Sequence, residues 1–170
     1  MKIFAPIALL AAPISLIVAL SGCGLQPIYS GGAQGYVAQG LAAIEVPAIP
    51  GREGWLLRNA LQDRFAQGGA DVSARYRLDV VLDQQLEGLG LLTDDTIGRE
   101  RLTLRARYQL VDIASGTILV DATAASDAGV DVVSSEFATI AAEQTAMENL
   151  AQDVADRIEV RLTRTLREMQ

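Results

Sequence analysis

The chain has 170 residues, 21 acidic against 14 basic, and a net charge of −7, a balance that argues against nucleic-acid binding, which needs a basic surface. It contains no histidine and a single cysteine, Cys23, so no intrachain disulfide can form and neither a Ser-His-Asp nor a Cys-His arrangement is available. No metal site and no cofactor are expected, and any enzyme chemistry would fall to carboxylates, hydroxyls and arginine.

At the N-terminus, Lys2 precedes an apolar run from Ile3 to Leu20, then the small residues Ser21 and Gly22, then Cys23. This is the pattern of a bacterial lipoprotein signal: cleavage before Cys23 and acylation of its thiol. The competing readings are a structural cysteine after an ordinary signal peptide and an uncleaved anchor helix; Pro6, Pro13 and the single flanking lysine speak against the anchor. In enteric-type bacteria aspartate after the lipidated cysteine marks inner-membrane retention, so by that resemblance Gly24 implies the outer membrane, facing the periplasm. Without residues 1–22 the chain has 148 residues, 13 arginines against 21 acids and no lysine. That is one domain with a genuine core.

Residues 23–40, with Gly24, Gly31, Gly32, Gly35 and Gly40, read as a flexible tether, and residues 41–170 as one domain. Leu41–Val46 is a short strand candidate stopped by Pro47 and Pro50. Leu57, Leu61 and Phe65 repeat at helical spacing and predict a helix over Trp55–Ala66, closed by Gly68-Gly69. Tyr76, Leu78, Val80, Leu82 and Leu86 then share one parity of a strand. After a polar turn at Thr93–Thr96, a second strand turns Leu102, Leu104, Ala106, Tyr108 and Leu110 one way and Arg99, Arg101, Thr103, Arg105, Arg107 and Gln109 the other. Asp112–Gly116 is a turn leading into a third strand, Thr117–Ala125. From Ser135 the spacing is helical to the end, with Ser134 or Ser135 as the cap and the helix about 50 Å long if unbroken. The expected fold class is α+β: a two-layer sandwich with a mostly antiparallel sheet of about four strands and two helices packed on one face.

The sharpest candidate feature is the row of Arg99, Arg101, Arg105 and Arg107 on one strand face, with Arg75 and Arg77 on the polar parity of the neighbouring strand. Cross-strand pairing with Asp79, Asp83, Asp121 and Thr123 would account for it. So would an anionic ligand or partner, since the guanidinium fork suits phosphate and carboxylate. The tip of the first hairpin, Leu89, Leu91, Leu92, Asp94 and Asp95, is a candidate partner-contact loop, with its adjacent acids read as solvated turn residues. Arg157, Arg161 and Arg164 read as a solvated helix face with Asp153 supporting Arg157, and Trp55 reads as helix–sheet packing.

The chain resembles one known family, the lipopolysaccharide-assembly lipoprotein LptE of Gram-negative bacteria in its alphaproteobacterial form. The resemblance rests on Cys23-Gly24-Leu25-Gln26-Pro27-Ile28-Tyr29, with Leu25 where an aromatic is usual; on Arg58-Asn59-x-Leu61; on Arg101-x-x-Leu104-x-Ala106-x-Tyr108-x-Leu110-x-Asp112 with the turn glycine Gly116; and on Phe137-Ala138 opening an alanine-rich final helix. It implies an acylated, non-enzymatic protein that plugs the β-barrel LptD, helps that barrel assemble and assists lipopolysaccharide delivery to the cell surface, with lipopolysaccharide a possible ligand and the membrane reached through the N-terminal lipid. The alternative is an accessory periplasmic lipoprotein of another export or lipid-transport system.

Overall fold

A computed structural model describes residues 35–66, 72–89 and 98–170. In chain order the elements are α1 (Tyr36–Ala42), β1 (Ile44–Glu45), α2 (Arg52–Phe65), β2 (Tyr76–Gly88), β3 (Arg99–Asp112), β4 (Ile118–Asp131) and α3 (Glu136–Glu168). The sheet order is β1-β2-β3-β4. The three long strands form an antiparallel meander, while β1 runs parallel to β2 through the α2 crossover, with Ile44 opposite Tyr76. This is the expected α+β class with a third helix added.

The sheet has one apolar face because its strands alternate. Leu102, Leu104, Ala106, Tyr108 and Leu110 of β3 are buried, as are Tyr76 and Leu78 of β2 and Val120 and Ala124 of β4. Over that face lie α2, through Leu57, Ala60, Leu61 and Phe65, and α3, through Met147, Leu150, Ala151, Val154, Ile158, Leu162 and Leu166. Arg64 ties the two helices together, donating to Asp156 and Gln152 (2.8 Å each) and lying 3.6 Å from Glu159. Gly51, at φ 86°, turns the chain from Pro50 into α2. Gly54 sits so close to the Ile49 carbonyl that a Cβ there would be 2.5 Å from its oxygen. The β3–β4 turn follows the expected chemistry: Asp112 accepts from the Ser115 amide and hydroxyl (2.9 and 3.0 Å), and Gly116 takes φ 69°.

Several local expectations are corrected. The segment 36–40, read as tether, is helical with Leu41 and Ala42, and Ala38 and Leu41 are buried, because the α1 stripe closes over Leu166 at the end of α3. The strand at Leu41–Val46 shrinks to Ile44–Glu45. The third strand runs on to Asp131. Trp55 is not packing: it is 61% exposed on the outer side of α2. Leu86 shares the core parity yet is 50% exposed, lining an open cavity with Arg52 and Glu53 of α2 and Glu143, Gln144 and Met147 of α3. Ser135 occupies the cap position of α3 without a side-chain bond; Thr139 Oγ1 instead accepts the Val133 amide. The final helix is unbroken over 33 residues. Its N-terminal end is the one that stands clear of the core, Met147 being its first buried residue.

Leu104 and Leu86 give a paired test of this layering. Leu104→Ala should cost about 2–5 kcal/mol, whereas Leu86→Ala should cost about 0.5 kcal/mol or less, both read from denaturant titration. Equal costs would contradict the assignment of the covered and uncovered halves of the sheet.

Candidate functional site

The open face of the sheet carries the arginine row. At its centre is β3, with Arg99, Arg101, Thr103, Arg105, Arg107 and Gln109 directed away from the helices. Register decides what stands beside each. Arg101 lies between Glu87 and Gly129, Arg105 between Asp83 and Ala125, Arg107 between Val81 and Thr123, and Gln109 between Asp79 and Asp121. The polar face is thus an arginine ridge with carboxylates on both flanking strands.

The arginines divide into paired and unpaired sets. Arg107 donates through Nε and Nη2 to the two Asp121 oxygens (3.3 and 3.1 Å), and Gln109 adds a bond to Oδ2 (2.9 Å). Arg77 makes a fork to Asp79 on its own strand (2.8 and 2.9 Å). Arg99 lies 3.4 Å from Asp131, its guanidinium over Gly129, where a Cβ would come within 3.0 Å of Nε. Arg75 is off the row: it precedes β2, stacks 5.2 Å from the Tyr76 ring centroid and lies 3.9 Å from Asp112. The side chains of Arg101 and Arg105 form no hydrogen bond or ion pair among the described residues. The expected cross-strand pairing holds for Asp121 but not for Asp79, which serves its own strand, or Asp83, which accepts from Gln85 (3.0 Å).

Of the hairpin tip, Leu89 is half-buried, its amide donating to the Arg99 carbonyl at 2.6 Å. Leu91, Leu92, Asp94 and Asp95 lie outside the described residues, as do Cys23 and the signal segment. Sequence reading missed the apolar group at the same end of the fold: Leu86, Val133, Ile140 and Phe137, the last 88% exposed. Its signal was present in the apolar stripe of α3, which extends to Ile140, seven residues ahead of Met147, the first buried residue of the helix. An open groove of about 680 Å³ runs beside β1, lined by Ile44, Val46, Pro47, Arg58, Gln62 and Phe65. Glu45 also lines it, and Arg58 donates its Nε to the Val46 carbonyl (3.0 Å). Among the described residues no group of three or more His, Cys, Asp or Glu could hold a metal ion, and no helix is long and apolar enough to cross a membrane.

A family model described as "LptE: Lipopolysaccharide-assembly" matches residues 41–162. No curated protein sequence matches. Among solved structures, a Caulobacter crescentus CB15 protein classed as a lipoprotein is 28% identical, with a TM-score of 0.66 over 80% of this chain and 98% of that one. Rare lipoprotein B of Shewanella oneidensis shares the fold at 13% identity, with a TM-score of 0.51 over 74% of this chain and 96% of that one. An uncharacterized lipoprotein B of Nitrosomonas europaea does so at 16% identity, TM-score 0.50, over 68% of this chain and 77% of that one.

The Arg107 bond and the Gln109 amide hold the Asp121 carboxyl below the usual aspartate range. For Asp112 the Ser115 amide and then its hydroxyl do the same. Both groups ionise more readily folded than unfolded. Their contribution to stability is complete above the unfolded value and disappears as the pH falls through the lowered folded value. In a carboxyl-detected NMR titration, Arg107→Gln should therefore raise the Asp121 midpoint and leave that of Asp112 where it was. A stationary Asp121 midpoint would show that the Arg107 contact is not formed in solution.

Proposed function

This chain belongs to the LptE lipopolysaccharide-assembly family, and from that premise we propose that it is an outer-membrane lipoprotein, acylated at Cys23, that seats in the lumen of the LptD β-barrel. There it helps the barrel assemble and assists lipopolysaccharide passage to the cell surface, without catalysis of its own. Family membership supports the class of process. The seat in the barrel draws support from dimensions and surface chemistry.

The long strands have 13 or 14 residues, or about 45 Å at 3.3 Å per residue. That exceeds the roughly 30 Å of a hydrocarbon core, so a domain seated in a barrel lumen would span the bilayer core and still extend beyond it at one end. The lumen of a large barrel is polar and wet, and the open sheet face matches it, alternating arginine, aspartate, threonine and glutamine. One observation carries the reading. In the middle of this face, Arg101 and Arg105 hold guanidinium groups without a partner among the described residues, while their neighbours Arg99 and Arg107 are engaged. Two free forks on a rigid strand, two residues either side of Thr103, suit a phosphorylated glycolipid or an acidic barrel wall.

The double variant Arg101→Glu/Arg105→Glu should lower lipopolysaccharide binding, or recovery with the barrel from detergent-solubilised outer membrane, at least tenfold, because a charge-assisted bond becomes a repulsion. Its melting temperature should stay close to that of the parent, since exposed charges contribute about 0–1 kcal/mol each. Undiminished binding to both would reduce the row to a cross-strand charge network. Co-purification with another export complex instead of a large barrel would overturn the proposed seat.

A further inference from the structure

A second set of arginines lies on the opposite layer. Arg157, Arg161 and Arg164 occupy successive turns of one face of α3, all exposed. None of their side chains forms a hydrogen bond or ion pair among the described residues. Asp153, the expected partner of Arg157, instead accepts the Ser126 hydroxyl of β4 (3.1 Å). Elsewhere on this helix the acids are turned to other work: Asp156 binds Arg64, and Glu148 lies 3.5 Å from Arg52. By helical spacing Asp153, bonded to Ser126, and Glu168, at the end of the helix, flank the arginine face. Val160, more than half exposed, sits among the three cations. A chain with a net charge of −7 thus concentrates free positive charge, with an exposed aliphatic residue in its midst, on one short strip.

The position of the strip gives it meaning. Helix α1, where the described chain begins, closes on the last turn of α3: a Cβ at Gly40 would be 3.1 Å from Leu166. Cys23 precedes Gly35 by twelve residues, and a fully extended chain of that length reaches about 40 Å at most. A tether of that length lets the C-terminal third of α3 come to the surface of the bilayer that carries the lipid, where cations meet headgroup phosphates.

We infer that Arg157, Arg161 and Arg164, with Val160 between them, form a docking strip for anionic phospholipid headgroups that lays the C-terminal third of α3 against the membrane carrying the lipid anchor. The inference rests on the anchor at Cys23 proposed above. The lipid holds the protein on the membrane, and the strip sets how the domain is turned relative to it. Arginine suits this task because its planar fork meets two phosphate oxygens at once.

The full lipoprotein, reconstituted in vesicles, tests this directly. Once Cys23 is acylated the chain has no reactive thiol, so Gln170→Cys places a single fluorophore at the end of α3. Energy transfer to headgroup-labelled lipid should be higher in vesicles containing phosphatidylglycerol than in phosphatidylcholine alone, and the difference should vanish at high salt. The ratio of docked to undocked protein should fall about fivefold per arginine removed, roughly a hundredfold in Arg157→Gln/Arg161→Gln/Arg164→Gln, with an unchanged melting curve. Equal transfer in the two vesicle types, or a triple variant that behaves as the parent, overturns the docking strip; a strip made for an acidic protein segment would give that flat response. A parent protein that floats with neither vesicle and carries an unmodified Cys23 by mass spectrometry overturns the lipid anchor, and with it this orientation.

Discussion

The alternation along β3 is the constraint on which the rest of the structure depends. Five apolar side chains from Leu102 to Leu110 face the helices and are buried, and four arginines stand on the other side of the same backbone. A slip of one residue would bury the arginines and expose the core, so the register with β2 and β4 is fixed by the cost of desolvating charge. The only irregularity falls at Leu110/Val111, past the last arginine, where a shift does not exchange the faces. Because β3 is central, its choice of faces dictates where α2 and α3 lie and which surface is left open.

On that open surface the electrostatics are close to balanced but unevenly distributed. Asp121 and Asp131 draw in Arg107 and Arg99, and Asp79 engages Arg77 two residues away on its own strand. In the middle of β3, Arg105 and Arg101 have no partner among the described residues although Asp83 and Glu87 stand directly across from them in the ladder. An exposed pair gains little from closing in water. The balance changes once a partner excludes that water, because the same groups then interact in a lower dielectric. A face of this kind can exchange internal contacts for external ones with little loss of stability.

The two layers present different chemistry. The sheet offers a flat, rigid array whose spacing is set by the ladder, and the far side of α3 offers a narrow cationic strip beside the end of the domain where α1 closes the core. Arg64, bridging α2 to Asp156 and Gln152 of α3, holds the helical layer together. At the opposite end of the fold, Leu86 and Phe137 are left exposed, although Leu86 shares an open cavity with Arg52 and Glu53 at the start of α2.

What the sequence determined by itself was the periodic part: an α+β class, the meander, the faces of β3, the long final helix and the turn at Asp112–Gly116. Each of these follows from local rules, a period of two or 3.6 and a turn with its own hydrogen-bond chemistry, and needs no knowledge of distant residues. Tertiary structure alone decided which apolar positions are covered. Leu86 and Ile140 fit their stripes perfectly well and are still exposed, while Ala38, in a glycine-rich stretch that reads as linker, is buried in a helix that closes on the end of α3. It also decided how the arginines divide, because pairing depends on the register between strands and on which acids are already engaged. Asp79 and Asp153 look like partners by spacing, yet Asp79 turns to Arg77 and Asp153 to Ser126. Spacing along one element cannot reveal that competition, since the competing group arrives from elsewhere in the fold.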